Sequence, residues 1–352
     1  MGCAPYTPLV IENKEQAATI EAARREQIQE ALISWFQKNA RDLPWRRTRD
    51  PWRVLVSEVM LQQIQVQRAV PFYERFLARF PTVEALASAP LAEAIRVWEN
   101  LGRYRRIVYL HKTARIVMEE HDGTIPSDPI ELIKLPGIGP YTAGAVACFA
   151  YERDTAFLDT NMRRVLHRYL FGLKAATTAT DKELLQTARE LVPSQRSWRW
   201  NQALMETGAL LCTARSPRCE ECPLREGCRA RAEVSSAGWP KLERKTPAYK
   251  YEDTNRYYRG RVLAELREIS HGGKGSIGLR ELGRRVRPDF DERDSHWLQV
   301  AVESLCKDGL ARVSSGSSTA RTPDMVAEER VPYSAGSEKA QSPSLDLTVS
   351  LP

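Results

Sequence analysis

Four cysteines lie close together in the segment CTARSPRCEECPLREGC, and side chains of this type and spacing can bind metal. They are Cys212, Cys219, Cys222 and Cys228, separated by six, two and five residues. Four thiolates in one short loop can hold a single inorganic centre, either a zinc ion or a [4Fe–4S] cluster. Four-cysteine zinc sites usually pair two CxxC motifs, and this segment has one. The spacing therefore favours the iron–sulfur cluster and leaves zinc as the alternative.

A second candidate site is the glycine-rich turn in LPGIGPYTAGAVACFA, which contains Gly137 and Gly139. A helix is predicted over 128–134, and an apolar helix begins at Pro140, a favoured first position. The backbone N–H groups at the start of the second helix can bind an anion such as a DNA phosphate. A plain turn between two helices is the alternative interpretation.

The composition fits a soluble protein that binds a polyanion. Lys and Arg number 52 against 45 Asp and Glu, which gives a formal net charge of +7. Such a balance favours polyanion partners, because each cation that meets a phosphate releases a counterion; a mere surface excess of cations is the alternative interpretation. No apolar run reaches the roughly 18 residues of a membrane span, and the N-terminus lacks a secretory pattern. We expect a cytoplasmic protein, associated with the nucleoid if bacterial, whose seven cysteines serve as ligands or buried thiols.

Helical periodicity dominates the first 230 residues, and no convincing strand precedes residue 240. The pattern predicts a helix over 17–39 and one continuous helix from Val54 to Val70. Residues 256–313 contain three further short helices that resemble a small winged-helix module. The Ser-, Gly- and Pro-rich segment 314–352 predicts a disordered tail. The fold class is therefore all-α.

Several motifs together resemble the helix–hairpin–helix DNA glycosylase superfamily. They are the glycine turn, LDTNMRRVLHR (158–168) and the cysteine spacing after NQALMETGALLC (201–212). The cysteine spacing is similar to that of the iron–sulfur branch, which includes endonuclease III and MutY. SEVMLQQIQV (57–66) and LPWR (43–46) narrow the resemblance to MutY-like adenine glycosylases. The similarity covers roughly residues 25–230.

The resemblance implies a two-lobed glycosylase core with a [4Fe–4S] loop, followed by the small module and the tail. DNA is expected to lie between the two lobes. The expected organisation begins with a disordered leader, 1–16, and the core, 17–232. Within the core, a six-helix barrel covers about 50–155, and a cluster lobe combines 17–49 with 156–232. A linker, 233–255, then leads to the winged-helix-like module, 256–313, and the tail, 314–352.

The resemblance also assigns the chemistry. Glu58 matches the general acid that protonates adenine, and its apolar neighbours should raise its pKa by desolvation. Asp159 matches the aspartate that stabilises the sugar cation, and it also precedes a helix as an N-cap would. Tyr141 stands where bifunctional glycosylase-lyases have a lysine, so the resemblance implies a monofunctional enzyme.

The remaining site residues come from the same resemblance. Gln63 matches the glutamine that intercalates into the duplex, Gln62 lines the DNA-facing side of the helix, and Glu206 matches the residue that reads the polar edge of adenine. The wall of the base pocket consists of Leu43, Trp45 and Arg46. The expected DNA phosphate contacts are Gly137, Gly139, Arg103, Arg105, Arg106, Lys112, Arg163 and Arg164.

The predicted function is excision of adenine mispaired with guanine or 8-oxoguanine by a monomer acting on double-stranded DNA. The chain departs from the family pattern at Arg103, which replaces a tyrosine that probes the opposing base, and at Ile64, which replaces a threonine. The region after 240 also differs from a Nudix-like β-domain. The alternatives are a glycosylase that removes thymine or uracil opposite guanine, and a non-catalytic iron–sulfur DNA-binding protein.

Overall fold

The computed structural model of the protein describes six stretches of the chain, and most of their residues are helical. These stretches are residues 22–173, 180–234, 250–272, 275–291, 295–315 and 347–352. The predicted leader, most of the predicted linker and most of the predicted tail lie outside them. No helix within the described stretches is long and apolar enough to cross a membrane.

Fifteen helices and three strands form the described part of the chain. The helices are α1 (Ala22–Asn39), α2 (Pro51–Leu61), α3 (Val66–Arg79), α4 (Val83–Ala87), α5 (Leu91–Trp98), α6 (Arg105–Glu120), α7 (Pro129–Lys134), α8 (Pro140–Tyr151), α9 (Thr160–Leu170), α10 (Asp181–Leu191), α11 (Ser197–Leu210), α12 (Arg229–Val234), α13 (Asn255–His271), α14 (Leu279–Val286) and α15 (His296–Lys307). The strands are β1 (Ile277–Gly278), β2 (Arg312–Ser315) and β3 (Leu347–Ser350).

The chain divides into two compact units, and the division differs from the predicted domain boundaries. The first unit comprises Met1–Ser88 and Tyr109–Lys245. The second comprises Ala89–Val108 and Thr246–Pro352. The segment 89–108, predicted as part of the barrel, therefore groups with the C-terminal module.

The core of the first unit is built around α8, which is apolar on all sides. Every residue from Thr142 to Ala150 is buried, and α8 packs against α2, α7 and α11. Helix α11 also packs against α1 and α9. At the contact with α9, a Cβ added to Gly208 would lie 2.9 Å from the backbone oxygen of Asn161. Only glycine allows the two helices this approach, which fixes the start of α9.

The predicted continuous helix from Val54 to Val70 is wrong. Helix α2 ends at Leu61 and α3 begins at Val66. Gln63, between them, has a φ of 61°, a left-handed conformation that no helix continues through. No glycine or proline lies between the two helices, so the sequence does not predict the break. Gln63 is exposed at this turn.

The second unit carries a helical layer and a small sheet. Helix α13 packs against α14 and α15, and the three strands form an antiparallel sheet in the order β1-β3-β2. Central strand β3 lies in the segment predicted to be disordered, and that prediction is wrong for these residues. Val349 is fully buried opposite Ile277 and Val313, so β3 closes the core of the module.

Replacing Gly137 by alanine should destabilise the hairpin between α7 and α8. Gly137 has a φ of 75°, and an added Cβ would lie 2.7 Å from the Cβ of Tyr109. A left-handed residue with a Cβ costs about 1–2 kcal/mol, and the clash adds to it, so the melting temperature of a unit of this size should fall by several degrees, roughly 2–8 °C. Gly139→Ala is the control, because its φ is −90° and a Cβ there meets no atom. Equal melting temperatures for the two variants would contradict this account.

Candidate active site

Glu58 lies in a fully buried stretch of α2. The helix begins at Pro51, and the Asp50 side chain caps it by accepting hydrogen bonds from the next two free N–H groups. Residues Val54 to Met60 are all buried, and Glu58 itself is 4% exposed. Burial raises the pKa of Glu58 to about 7, against the lowering effect of a hydrogen bond with Tyr141. A carboxyl with a pKa raised toward neutrality can still carry its proton near neutral pH, which suits a general acid.

Asp159 caps α9 and faces the same site. Its carboxylate accepts the backbone N–H of Met162 at 2.6 Å and the side-chain amide of Asn161 at 3.1 Å. Burial raises its pKa, while these hydrogen bonds oppose the shift. The charge of Asp159 in turn raises the pKa of Glu58. Both carboxyl groups are thus desolvated, but Asp159 also accepts hydrogen bonds from donors at a helix N-terminus, and these favour its ionised form. Such a difference between neighbouring carboxyl groups can give one the role of acid and the other that of anion.

Tyr141 lies in the first turn of α8, hydrogen-bonded to Glu58 and within the electrostatic influence of Asp159. Its side chain makes a hydrogen bond with Glu58, and burial together with the charges of Glu58 and Asp159 raises its pKa well above the usual value. Its ring packs edge-on against Phe157 at 5.5 Å between centroids. The phenol is therefore protonated and acts as a hydrogen-bond donor. Together these three side chains can protonate a leaving group and stabilise a developing positive charge.

Glu206 is fully buried and is held by two arginines. Its Oε1 accepts the backbone N–H and the Nε of Arg41, and its Oε2 accepts Nη2 of both Arg41 and Arg46. Burial alone would raise the pKa of Glu206, but these hydrogen bonds outweigh it and lower the pKa to about 2. All four lone-pair positions of the carboxylate are thereby used. Glu206 is predicted from the sequence to read adenine directly, whereas its observed contacts orient Arg46.

Arg46 lies in this buried ion pair and also acts electrostatically on Glu58. Its Nε donates to Gln202 at 2.7 Å, its guanidinium lies 5.3 Å from the ring centre of Phe36, and its charge lowers the pKa of Glu58. Sequence reasoning missed Arg41 and Gln202. Arg41 precedes the LPWR motif by two residues, and this proximity to residues predicted to form the base pocket was the one feature of the sequence that could have indicated its role.

The other predicted pocket residues occupy varied environments. Leu43 and Trp45 are buried, and the Trp45 ring packs edge-on against Tyr73 at 5.3 Å. Gln62 donates to the buried hydroxyl of Thr142 at 3.4 Å, next to Tyr141 in α8. Gln63 is exposed in the turn after α2. The pocket and intercalation roles of these residues stay predictions.

The glycine turn forms a hairpin between α7 and α8. Gly139 is the extended N-cap of α8 and is followed by Pro140 at the first helical position. The hydroxyl of Thr113 donates to the carbonyl oxygen of Pro136 at 2.9 Å and ties the turn to α6. The first-turn N–H groups of α8 are thus presented at a rigid helix N-terminus, as an anion site requires.

Several arginines predicted to bind phosphate have partners within the protein. Arg164 donates to the carbonyl oxygens of Cys212 and Gly208, and Arg163 pairs with Asp181. Arg106 is buried, and desolvation lowers its pKa to about 10. Arg103 is exposed in the second unit and stays a predicted phosphate contact.

The four clustered cysteines line one cavity in the first unit. Its wall also includes Arg168, Arg218, Arg225 and Arg231, and Nη1 of Arg168 lies 3.4 Å from the Cys212 sulfur. Within the described stretches, no three His, Cys, Asp or Glu side chains converge as they would around one metal ion. The thiols instead surround a shared space, and cationic neighbours suit an inorganic centre that carries net negative charge with its thiolates. These residues fit an iron–sulfur cluster.

Comparison with known proteins agrees with this geometry. Residues 56–194 match the family model of the HhH-GPD superfamily base excision DNA repair proteins, and residues 212–228 match the iron-sulfur binding domain of endonuclease III. The chain is 44% identical over 280 residues to the adenine DNA glycosylase of Mycolicibacterium smegmatis, covering 79% of this chain and 90% of that protein. It is 41% identical over 214 residues to the human adenine DNA glycosylase, covering 58% of this chain and 39% of that protein.

Two solved structures share the fold. A thermostable thymine-DNA glycosylase aligns with a TM-score of 0.56 and 29% identity, covering 59% of this chain and 97% of that one. Endonuclease III in a non-covalent DNA complex aligns with a TM-score of 0.52 and 23% identity over 60% of this chain and 98% of that one, a likeness of fold alone.

The hairpin, the capped aspartate and the cysteine loop define a helix–hairpin–helix base excision DNA repair protein of the HhH-GPD superfamily. Within that superfamily the chain belongs to the family of the adenine DNA glycosylases. Its cofactor is a [4Fe–4S] cluster bound by the cysteine segment, so the zinc alternative is wrong.

The purified protein should contain about four iron and four sulfide ions per chain and no stoichiometric zinc. Cys222→Ser should lose most of that iron, because it removes one of the four thiols that line the shared cavity. Cys306→Ser is the control, since Cys306 lies on α15 in the second unit. Stoichiometric zinc, or equal iron in both variants, would contradict the assignment.

Glu206→Gln should destabilise the first unit strongly. It leaves two arginines around a neutral amide, and breaking a buried ion pair from one side costs about 3–5 kcal/mol. Thermal melting at neutral pH measures the loss. Glu30→Gln, which removes an exposed partner of Arg196, should change little, and similar losses in the two variants would overturn the structural role given to Glu206.

Proposed function

We propose that this protein is a monofunctional DNA glycosylase that hydrolyses the N-glycosidic bond of adenine mispaired with guanine or 8-oxoguanine in double-stranded DNA. The observation that carries the proposal is the burial of Glu58 beside Tyr141 and Asp159, with its pKa raised to about 7. The adenine DNA glycosylase relatives support adenine as the base. We propose that it acts as a monomer in the cytoplasm or on the nucleoid.

Glu58 supplies the proton that turns adenine into a leaving group. The carboxyl proton moves to N7 of the extruded base, the electron pair of the C1′–N9 bond moves into the ring system, and Glu58 is left as a carboxylate. Burial keeps the acid protonated near neutral pH. The Tyr141 hydroxyl then donates to the carboxylate that forms, as its hydrogen bond to Glu58 allows.

Asp159 acts on the sugar. Loss of the base leaves an oxocarbenium-like cation at C1′, and a carboxylate fixed by Met162 N–H and Asn161 stabilises that charge without moving. Water then adds to C1′, and the ionised Glu58 accepts its proton. The products are free adenine and an abasic site, and the enzyme returns to its starting protonation state.

Tyr141 makes the enzyme monofunctional. A phenol whose pKa is raised well above its usual value offers no amine to form a Schiff base with the sugar. The abasic site is therefore released uncleaved, and strand breakage requires later alkali.

The hairpin and the break after α2 engage the duplex. The N-terminus of α8 binds a backbone phosphate through Gly139 and the first-turn N–H groups, and Gln63, exposed at the turn, fills the space left by the extruded base. Extrusion costs a few kcal/mol, so a side chain that replaces the lost stacking has a direct role. Leu43, Trp45 and Arg46 form the wall against which the base stacks.

A second candidate is removal of thymine from a mismatch with guanine. The 29% identity to a thymine-DNA glycosylase structure favours it. An acid at N7 has no counterpart on thymine, so the buried Glu58 argues for adenine.

Single-turnover cleavage on duplexes that carry A opposite 8-oxoguanine, A opposite G, and T or U opposite G tests the proposal. The wild type should release adenine, with nicks visible after alkali and none before it. Glu58→Gln should slow release by at least about 100-fold, since it removes general acid catalysis, while its melting temperature stays near that of the wild type. Glu131→Gln, on the exposed face of α7, is the control. Release of thymine or uracil alone would establish the second candidate, and release of no base from any duplex would leave only a binding protein.

A further inference from the structure

The loop between α5 and α6 in the second unit has an unusual backbone. Glu99, Gly102 and Arg103 all have positive φ angles, of 47°, 78° and 48°. Two of these residues carry side chains that disfavour that conformation. Such a loop persists only when its surroundings hold it, and strained loops of this kind concentrate at functional sites.

Part of the support comes from the flanking helices. The indole N–H of Trp98 donates to the carbonyl oxygen of Gly102 at 3.0 Å, and Nη2 of Arg106 donates to the same oxygen at 3.1 Å. Trp98 and Arg106 are both buried. These contacts fix the backbone at the centre of the loop.

The rest of the support comes from α13, far away in sequence. Nη2 of Arg267 donates to Oδ1 of Asn100 at 2.7 Å, and its guanidinium lies 5.5 Å from the ring centre of Tyr104. One arginine thus holds both ends of the loop. Nη1 of Arg96 donates to the hydroxyl of Ser270 at 2.7 Å and fastens α5 to the same helix.

Between the two positions that Arg267 holds, the Arg103 side chain is exposed. Its neighbour Arg105 is drawn to Asp308 at the end of α15, 3.4 Å away. The left-handed backbone conformation at Arg103 therefore determines the direction of its own exposed guanidinium group. An exposed guanidinium on a rigid loop suits a DNA phosphate, which accepts a bidentate pair of hydrogen bonds.

We propose that Arg267 is a positioning residue for DNA binding: it holds the loop 99–104 in the conformation that presents Arg103 to the DNA backbone. The C-terminal module thereby contributes to substrate affinity through a loop whose Asn100 precedes Arg267 by 167 residues. This inference rests on the proposed function, since it takes DNA as the substrate.

Equilibrium binding of a duplex with a non-cleavable adenine analogue, measured over a range of salt concentrations, tests the coupling in a double-mutant cycle. Arg103→Ala should weaken binding three- to tenfold and lower the salt slope by about one, the effect of one lost phosphate contact. Arg267→Met should weaken binding by a similar factor in the wild-type background and by less than twofold when Arg103 is already alanine. Arg261→Met, on the same helix but bonded to Tyr257, is the matched control and should bind like the wild type.

Asn100→Ala removes the hydrogen bond between Arg267 and Asn100 from the side of the loop. It replaces Arg267→Met in the experiment if that variant fails to fold. It should reproduce the loss of affinity and the lowered salt slope. Three results would overturn the proposal. One is that the losses of affinity from the Arg103 and Arg267 substitutions add up, and another is that neither Arg267→Met nor Asn100→Ala changes the affinity. The third is an equal loss of affinity in the Arg261→Met control. Adenine release by the wild type on a cleavable version of the same duplex is measured in parallel, so failure of the proposed function shows separately, as binding without release.

Discussion

The packing of the first unit depends on one constraint, the removal of the Glu58 carboxyl group from water. A carboxyl in water ionises well below neutral pH and cannot donate a proton there. Helix α2 removes Glu58 from water by burying almost its whole length against α8 and its surroundings. The apolar composition of α8, with buried residues from Thr142 to Ala150, is therefore part of the proposed chemistry, because α8 packs against α2 and helps to exclude water from Glu58.

Two buried glutamates show that hydrogen-bond and charge partners decide whether the pKa of a buried carboxyl group rises or falls. Both are almost inaccessible to water, yet the pKa of Glu58 is raised to about 7 and that of Glu206 is lowered to about 2. Glu58 has one neutral donor and a nearby carboxylate, whereas Glu206 has two guanidinium groups. Arg46 lowers the pKa of Glu58. Because Arg46 is paired with Glu206, its charge favours ionisation of Glu58 less than an unpaired arginine would, and its side chain is held in place.

The sequence predicted the features that depend on local chemistry. The cysteine spacing, Gly137 in the turn and the cap at Asp159 each follow from what a residue type permits, and the helices follow from apolar periodicity. The break after Leu61 was missed, because Gln63 adopts a left-handed conformation with no glycine to mark it. Strand β3 was missed because its only reason to form is pairing with two strands that are distant in sequence. The contacts of Arg41 with Glu206 and of Arg267 with Asn100 span more than 160 residues, and no local pattern encodes such pairs.

The pH dependence of single-turnover adenine release tests the central claim most directly. Because the protonated form of Glu58 is the proposed acid, the rate should be high below its pKa of about 7 and fall roughly tenfold per pH unit above it. Tyr141→Phe removes a hydrogen bond that lowers this pKa, so it should move the inflection to higher pH. A rate that stays constant between pH 6 and 9 while chemistry limits it, or an inflection that Tyr141→Phe moves to lower pH, would contradict the account.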